Sequence, residues 1–99
     1  MLSHSPITPK FGVELESGTQ LMDLTDPQIQ SLNQLAAERG VVVARNQTMN
    51  AEDQASFSHR LGTPLTTPMN KHGVPKELIV IRADSKSKFV AVQGWHSDV

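Results

Sequence analysis

The residues best suited to chemistry are a histidine and an aspartate one position apart, His96 and Asp98, in the stretch GWHSDV. On an extended strand, residues i and i+2 point to the same face, so these two side chains would project together. An imidazole nitrogen and a carboxylate oxygen presented in this way form a compact two-ligand platform for a divalent metal. The spacing therefore indicates a candidate metal site.

Two interpretations of this pair are open on spacing alone. One further His would complete the 2-His-1-carboxylate triad that binds Fe(II) in non-haem oxygenases and leaves positions open for a cosubstrate and oxygen. Alternatively, His96 and Asp98 are surface residues joined by a hydrogen bond. Chance alone gives roughly 0.2 His-x-Asp pairs in a chain of this composition, which is a high false-positive rate for so short a motif.

The composition excludes several classes of function. Nine basic and ten acidic residues give a net charge of −1, and without a Lys/Arg cluster the electrostatic signature of a nucleic-acid-binding protein is absent. The chain has no cysteine, which excludes a disulfide scaffold, a zinc ribbon and a thiol nucleophile. There is no signal-peptide core at the start and no run of the roughly 20 apolar residues that a membrane span needs. We therefore predict a cytoplasmic protein that binds neither nucleic acids nor membranes.

Two segments in the first half of the chain have the pattern of strands. Residues 11–17, FGVELES, alternate apolar and polar side chains, which predicts a half-buried strand with Phe11, Val13 and Leu15 on its buried face. Residues 41–44, VVVA, form a short continuous apolar run that is most simply a strand buried on both faces. His4 precedes both and is expected in a frayed terminus.

Two helices are marked by capping residues. The first helix begins after Thr25 or Asp26, either of which can act as its N-cap. It ends at Gly40, since glycine readily adopts the left-handed conformation that terminates a helix. The second follows Asn50, with Asp53 placed for a capping box. We expect these helices to alternate with the two strands.

The second half of the chain is less regular. Residues 62–76, GTPLTTPMNKHGVPK, predict a long loop, and loops of this length in compact domains are usually functional or mobile. Strands are predicted around residues 78–82 and again from Phe89 onward, with a polar linker between them. The order is strand, helix, strand, helix, loop, strand, strand, which suggests a small α/β or α+β unit. His59 is expected on the solvent face of the second helix, and Trp95 is expected to pack in the core.

Longer motifs surround the His-x-Asp pair. The stretch ERGVVVARNQTMNAEDQASFSHRLG, followed later by GWHSDV, resembles the taurine dioxygenase-like family of Fe(II)- and 2-oxoglutarate-dependent dioxygenases. In that family a VVF-R-Q strand, a helix ending in FG or LG, and W-H-[TS]-D-V occur in this order. The resemblance extends from about Ile7 to Val99 and matches the N-terminal part of the family's catalytic domain. With Gly94 before Trp95 and Ser97 inside it, the last motif is most similar to the fungal sulfonate-dioxygenase branch.

The resemblance implies a fold and a set of ligands. The fold would be α+β, the N-terminal portion of a double-stranded β-helix (jelly-roll) with flanking helices, truncated, over residues 1–99 with 1–9 flexible. His96 and Asp98 would be the first two ligands of Fe(II), with 2-oxoglutarate and O2 as cosubstrates. The family's third ligand, a His, and the Arg that holds 2-oxoglutarate lie further downstream, so no cofactor-binding residue beyond the two metal ligands is expected in this chain. On this resemblance the sequence is a fragment, inactive alone.

The substrate implied by the resemblance is a small organic acid, such as a sulfonate or a sulfate ester, which would place the protein in sulfonate metabolism. Val99 matches a substrate-lining valine of the family. The positions matching Thr67, Asn70 and Val92 carry other residues in taurine dioxygenase, which argues against taurine itself. Thr67 and Asn70 are candidate polar contacts to the substrate, and the alternative is that they satisfy backbone groups of the loop. Oligomerisation of the full-length protein is left open.

A function of a different class is also compatible with the sequence. The chain could be a stand-alone α/β interaction module without metal, in which His96 and Asp98 are surface residues. That hypothesis predicts cooperative folding that is indifferent to His96→Ala.

Overall fold

The structure is a computed structural model that describes residues 2–66, 73–79, 84–86 and 95–97. It contains three strands and two α-helices in the described ranges, together with one turn of 3-10 helix at Leu21–Asp23. In chain order the strands and α-helices are β1 (His4–Pro6), β2 (Val13–Leu15), α1 (Asp26–Arg39), β3 (Val42–Val43) and α2 (Ala51–Leu61). The predicted strand–helix–strand–helix order is confirmed from β2 to α2, and the fold is a small α+β unit.

The three strands form a mixed sheet with β2 in the middle. β1 pairs antiparallel with β2, with His4 opposite Leu15. β3 pairs parallel with β2, with Val13 opposite Val42. A parallel pair needs a crossover connection, and α1 supplies it between β2 and β3.

Both predicted helix caps are confirmed. The Thr25 hydroxyl accepts a hydrogen bond from the Gln28 backbone N–H at 3.4 Å, and the Gln28 side chain accepts one from the Thr25 N–H at 2.9 Å. At α2, the Asn50 side chain accepts from the Asp53 N–H at 2.8 Å, and the Asp53 carboxylate accepts from the Asn50 N–H at 3.2 Å. These reciprocal capping boxes satisfy N–H groups that have no partner inside the helix.

Gly40 ends α1 for two physical reasons. Its φ is +83°, a conformation that side chains with a Cβ rarely adopt. In addition, a Cβ at this position would lie 2.8 Å from a ring carbon of Phe11. The predicted helix stop is confirmed, and the ring of Phe11 is what makes the position sterically tight.

The core lies between the sheet and the two helices. Its members are apolar side chains with at most 7% of their surface exposed: Leu2, Leu15, Leu24, Ile29, Leu32 and Phe57. The N-terminal residue Leu2, strand β2 and both α-helices contribute to it, so the described part of the chain buries a contiguous apolar cluster. Neither described helix has the length and apolar content required to cross a membrane.

The structure corrects three expectations for the first half of the chain. Phe11 is 55% exposed rather than buried, because β2 begins at Val13 and the ring lies over Gly40 instead. β3 is only two residues long and half-buried, so it is not a strand buried on both faces. His4 lies in β1, with its Nδ1 hydrogen-bonded to the Leu2 carbonyl oxygen at 2.8 Å, and not in a frayed terminus.

Two further expectations concern the second half. Leu78 and Ile79 are described outside any strand, and Ile79 is 73% exposed; residues 80–82 of that predicted strand lie outside the described residues. Trp95 is fully exposed, so the predicted core packing of this ring is wrong in this chain.

Candidate functional site

Only one of the predicted site residues falls in the described part of the chain. His96 is exposed, and residues 95–97 have no regular secondary structure. The other four predicted site residues lie outside the described ranges: Asp98, Val99, Thr67 and Asn70. The expectation that His96 and Asp98 share one face therefore stays a prediction.

The donor chemistry around position 96 fits a ferrous ion. An imidazole nitrogen and a carboxylate two positions away are two of the three ligands of the facial triad, and His96 is exposed. Across residues 2–66 and the three shorter described segments, no three His, Cys, Asp or Glu side chains are grouped closely enough to hold a metal. A three-ligand metal site that includes His96 would therefore take at least one of its ligands from outside these segments.

The start of the long loop is fixed by contacts between the two helices. Arg60 donates a hydrogen bond from Nη2 to Oδ1 of Asp26 at 2.8 Å, which ties the last turn of α2 to the first turn of α1. Asn33 of α1 donates from Nδ2 to the Leu61 carbonyl oxygen at 3.2 Å, at the final residue of α2. The helix after which the loop begins is therefore attached to α1 at two points.

The far side of the loop is also attached to α2. Nε2 of His59 lies 2.6 Å from Oε2 of Glu77, and the Glu77 side chain is only 13% exposed. The hydrogen bond from His59 lowers the pKa of Glu77 below its ordinary value of 4.5, helped by the backbone N–H of Glu77 and by the charges of His59 and Lys76, while burial opposes the shift. His59 lies on the solvent side of α2 as predicted, with 54% of its side chain exposed.

Sequence reasoning did not identify Glu77. The pair joins residues 18 positions apart, and no motif spacing or periodicity in the sequence relates a helix residue to a carboxylate beyond a long loop. The contact therefore required the three-dimensional structure.

Two glutamines join the start of the 3-10 helix to the segment after β3. Oε1 of Gln47 accepts a hydrogen bond from the Leu21 N–H at 2.8 Å, and its Nε2 donates to the carbonyl oxygens of Thr19 at 2.6 Å and Arg45 at 3.1 Å. In the opposite direction, Gln20 donates to the Asn46 carbonyl at 3.0 Å and accepts from the Thr48 N–H at 3.1 Å. We call this arrangement the glutamine clasp. It fixes the chain immediately after β3.

An apolar cavity of about 400 Å³ opens between α1, β3 and α2. Its lining is apolar except for one amide side chain, and the residues are Leu21, Leu32, Asn33, Ala36, Val42, Ala44, Phe57 and Leu61. None of these described side chains is ionisable, so they supply no group for acid–base or metal chemistry. His96 is not among the described residues that line it.

A family model and a curated relative both match this chain. The family model described as "Taurine catabolism dioxygenase TauD, TfdA family" matches residues 3–99. The alpha-ketoglutarate-dependent sulfonate dioxygenase of Saccharomyces cerevisiae is 33% identical over an alignment 106 positions long, which covers 94% of this chain and 25% of that protein. The chain thus spans about a quarter of the length of this curated relative.

Proposed function

This chain belongs to the taurine catabolism dioxygenase TauD, TfdA family, and from that premise we propose that it is the N-terminal part of an Fe(II)- and 2-oxoglutarate-dependent dioxygenase. The observation that carries the proposal is the family match over residues 3–99, which includes a His-x-Asp pair with the spacing of two facial-triad ligands. In this proposal His96 and Asp98 hold the metal, and the third His ligand and the 2-oxoglutarate-binding Arg belong to a later part of the protein.

In this proposal the residues of this chain supply two of the metal ligands and set their relative orientation. Bound Fe(II), with 2-oxoglutarate as cosubstrate, would supply the oxidising chemistry that uses O2. His96 must be neutral and Asp98 ionised to act as ligands, so binding competes with protons and weakens as the pH falls. Both side chains must also face the same side of the backbone, which an extended conformation through residues 96–98 would provide.

We further propose a small anionic substrate, a sulfonate or a sulfate ester. The support is the printed activity of the yeast relative, which is a sulfonate dioxygenase. Val99 would line the substrate site next to the metal, and Thr67 and Asn70 would offer hydroxyl and amide donors to sulfonate oxygens.

In this proposal, residues of the full-length protein outside this chain complete the active site. We propose that residues 1–99 are the N-terminal portion of a jelly-roll catalytic domain that acts in the cytoplasm, without nucleic-acid or membrane partners. The 99-residue chain would be inactive by itself, because two metal ligands bind iron weakly and the 2-oxoglutarate-binding Arg is absent. The full-length protein could then be monomeric or oligomeric without change to this assignment.

Metal binding by this chain can be tested with Mn(II) as a probe. Adding Mn(II) to the ¹⁵N-labelled 99-residue chain should broaden the NMR signals of residues around His96 first, because paramagnetic relaxation falls steeply with distance. His96→Ala and Asp98→Ala should each abolish this selective broadening. Ser97→Ala is the matched control, since Ser97 lies between the two ligands and would face the opposite side of a strand.

Two results would reject the assignment. The first is broadening centred elsewhere in the chain, and the second is broadening around residue 96 that survives both ligand substitutions. Turnover of 2-oxoglutarate by the purified 99-residue chain would contradict the proposed inactivity while leaving the ligand assignment intact.

The alternative function is a metal-free α/β interaction module. The contiguous core and the two complete capping boxes favour it, because they give the described residues the features of an independently folded unit. A thermal melt separates the two hypotheses: the module predicts the same melting temperature with and without Mn(II), and the same value for His96→Ala. A rise in melting temperature with Mn(II) that His96→Ala removes would support the dioxygenase assignment.

A further inference from the structure

The pair formed by His59 and Glu77 has no part in the proposed metal site. It connects the last turn of α2 to the described segment 73–79 across 18 positions of sequence. The segment has a turn of its own, in which the Leu78 N–H donates to the Pro75 carbonyl at 3.1 Å. The Glu77 side chain is 13% exposed although it is a carboxylate on a short irregular segment. Carboxylates covered to this extent are usually paired or hydrogen-bonded.

We propose that His59 and Glu77 form a latch that fastens the segment 73–79 to the last turn of α2 and that opens when the Glu77 carboxylate takes up a proton. The geometry carries the proposal, because the 2.6 Å contact is a charge-assisted hydrogen bond to an ionised carboxylate. A protonated carboxyl group loses its charge, and with it most of the attraction to the imidazole.

The charges around Glu77 favour the closed latch at neutral pH. In the described residues, the charged groups that act on its carboxylate are His59 from α2 and Lys76 from its own segment, and both lower the pKa of Glu77. Arg60, the neighbouring cation on α2, is paired with Asp26. Because the folded-state pKa of Glu77 is below 4.5, the latch is fully formed above that pH and is lost as the pH falls through the lowered value.

The contact does not require a charged imidazole. A neutral ring can donate a hydrogen bond from Nε2 to the carboxylate, since one ring nitrogen keeps its hydrogen. The latch therefore depends on the ionised state of Glu77 and opens only in acid.

The latch fastens the chain on the C-terminal side of residues 67–72, which lie outside the described ranges. Asn33 and Arg60 fix the chain at the end of α2, and His59 fixes it again at Glu77. Thr67 and Asn70 lie between these two points in the sequence. If they contact substrate, a consequence that rests on the proposed function, His59 is a positioning residue for that contact; the latch itself does not depend on it.

NMR titration of the labelled chain from pH 7 to pH 2.5 tests the latch directly. The side-chain carboxyl signal of Glu77 should titrate with a midpoint below 4.5, and backbone amide signals of residues 73–79 should shift with the same midpoint. In His59→Ala the Glu77 midpoint should rise towards its ordinary value, because His59 makes the largest contribution to the lowered pKa. Glu16→Gln, which removes an exposed carboxylate at the far end of the chain, is the control and should leave the Glu77 midpoint unchanged.

Amide hydrogen exchange provides a second measurement that does not depend on a pKa. At pH 7, His59→Ala and Glu77→Gln should each raise the exchange rates of residues 75–79 severalfold over wild type, because both open the latch. The proposal is overturned if Glu77 titrates at 4.5 in the wild-type chain, or if neither substitution changes exchange in the segment. No metal is present in either experiment, so failure of the latch and failure of the dioxygenase assignment are distinguishable.

Discussion

Replacing Gln47 with Met tests the glutamine clasp, because Met keeps the side-chain volume and removes every polar atom. Three hydrogen bonds are lost: one from the Leu21 N–H and one to each of the carbonyl oxygens of Thr19 and Arg45. At about 0.5–1.5 kcal/mol of net stability for each bond, the loss is about 1.5–4.5 kcal/mol. The Leu21 N–H bond is partly buried, which favours the middle of that range. A domain of this size has a total of about 5–15 kcal/mol, so the effect is large.

Urea unfolding followed by circular dichroism measures this loss. The midpoint for Gln47→Met should fall substantially, with an unchanged dependence of the unfolding free energy on urea concentration. Gln30→Met is the matched control on the exposed face of α1, and it should change stability by less than about 0.5 kcal/mol. Gln47→Glu should lie between the two, because it keeps the acceptor for Leu21 and removes the amide donors. Equal midpoints for Gln47→Met and Gln30→Met would refute the reasoning.

Three other outcomes are expected. Gly40→Ala should destabilise the fold by about 1–3 kcal/mol, because the positive φ is strained for alanine and its Cβ would meet the Phe11 ring. Adding Phe11→Ala to Gly40→Ala should remove the clash but not the backbone strain, so thermal melting should show only a partial recovery of stability. Leu32→Ala should cost about 2–5 kcal/mol in urea unfolding by opening a cavity in the core, and a cost below 1 kcal/mol would show that this core is not closely packed. Above pH 4.5 the wild-type chain should unfold at a higher urea concentration than Glu77→Gln, because only the ionised carboxylate is stabilised. The two midpoints should converge as the pH falls through the lowered pKa of Glu77, and a difference that persists at pH 2.5 would contradict this.

The helices were predictable because their signals are local. Thr25 and Asn50 cap through residues three positions later, and Gly40 stops α1 through its own backbone conformation, so a short window of sequence contains each signal. β1 was not predictable by the same means, because His4–Pro6 has no apolar alternation and all three residues are exposed. Its position depends on pairing with β2, which is tertiary information.

The length of a strand also depends on its neighbours. The alternation at residues 11–17 extends beyond the observed β2, since β2 is paired only where β1 and β3 reach it, at Val13–Leu15. The same holds for contacts across loops: His59 with Glu77 and Gln20 with Thr48 join residues 18 and 28 positions apart. For the candidate site, the sequence predicts which side chains could bind metal, and the orientation of His96 relative to Asp98 stays a prediction.

The two halves of the motif that indicates the family have different physical roles. In the first half, VVVARNQ, Arg45 forms an ion pair with Glu14 of the central strand and Gln47 closes the clasp, so these residues hold β3 in place. In the second half, His96 is exposed and makes no part of the core cluster. Substitutions in the first half should therefore lower stability without changing the affinity of the folded chain for Mn(II), whereas His96→Ala should remove metal binding. If the separate variants Gln47→Met and His96→Ala lowered the free energy of unfolding equally, residue 96 would be structural, and the metal assignment would lose its basis.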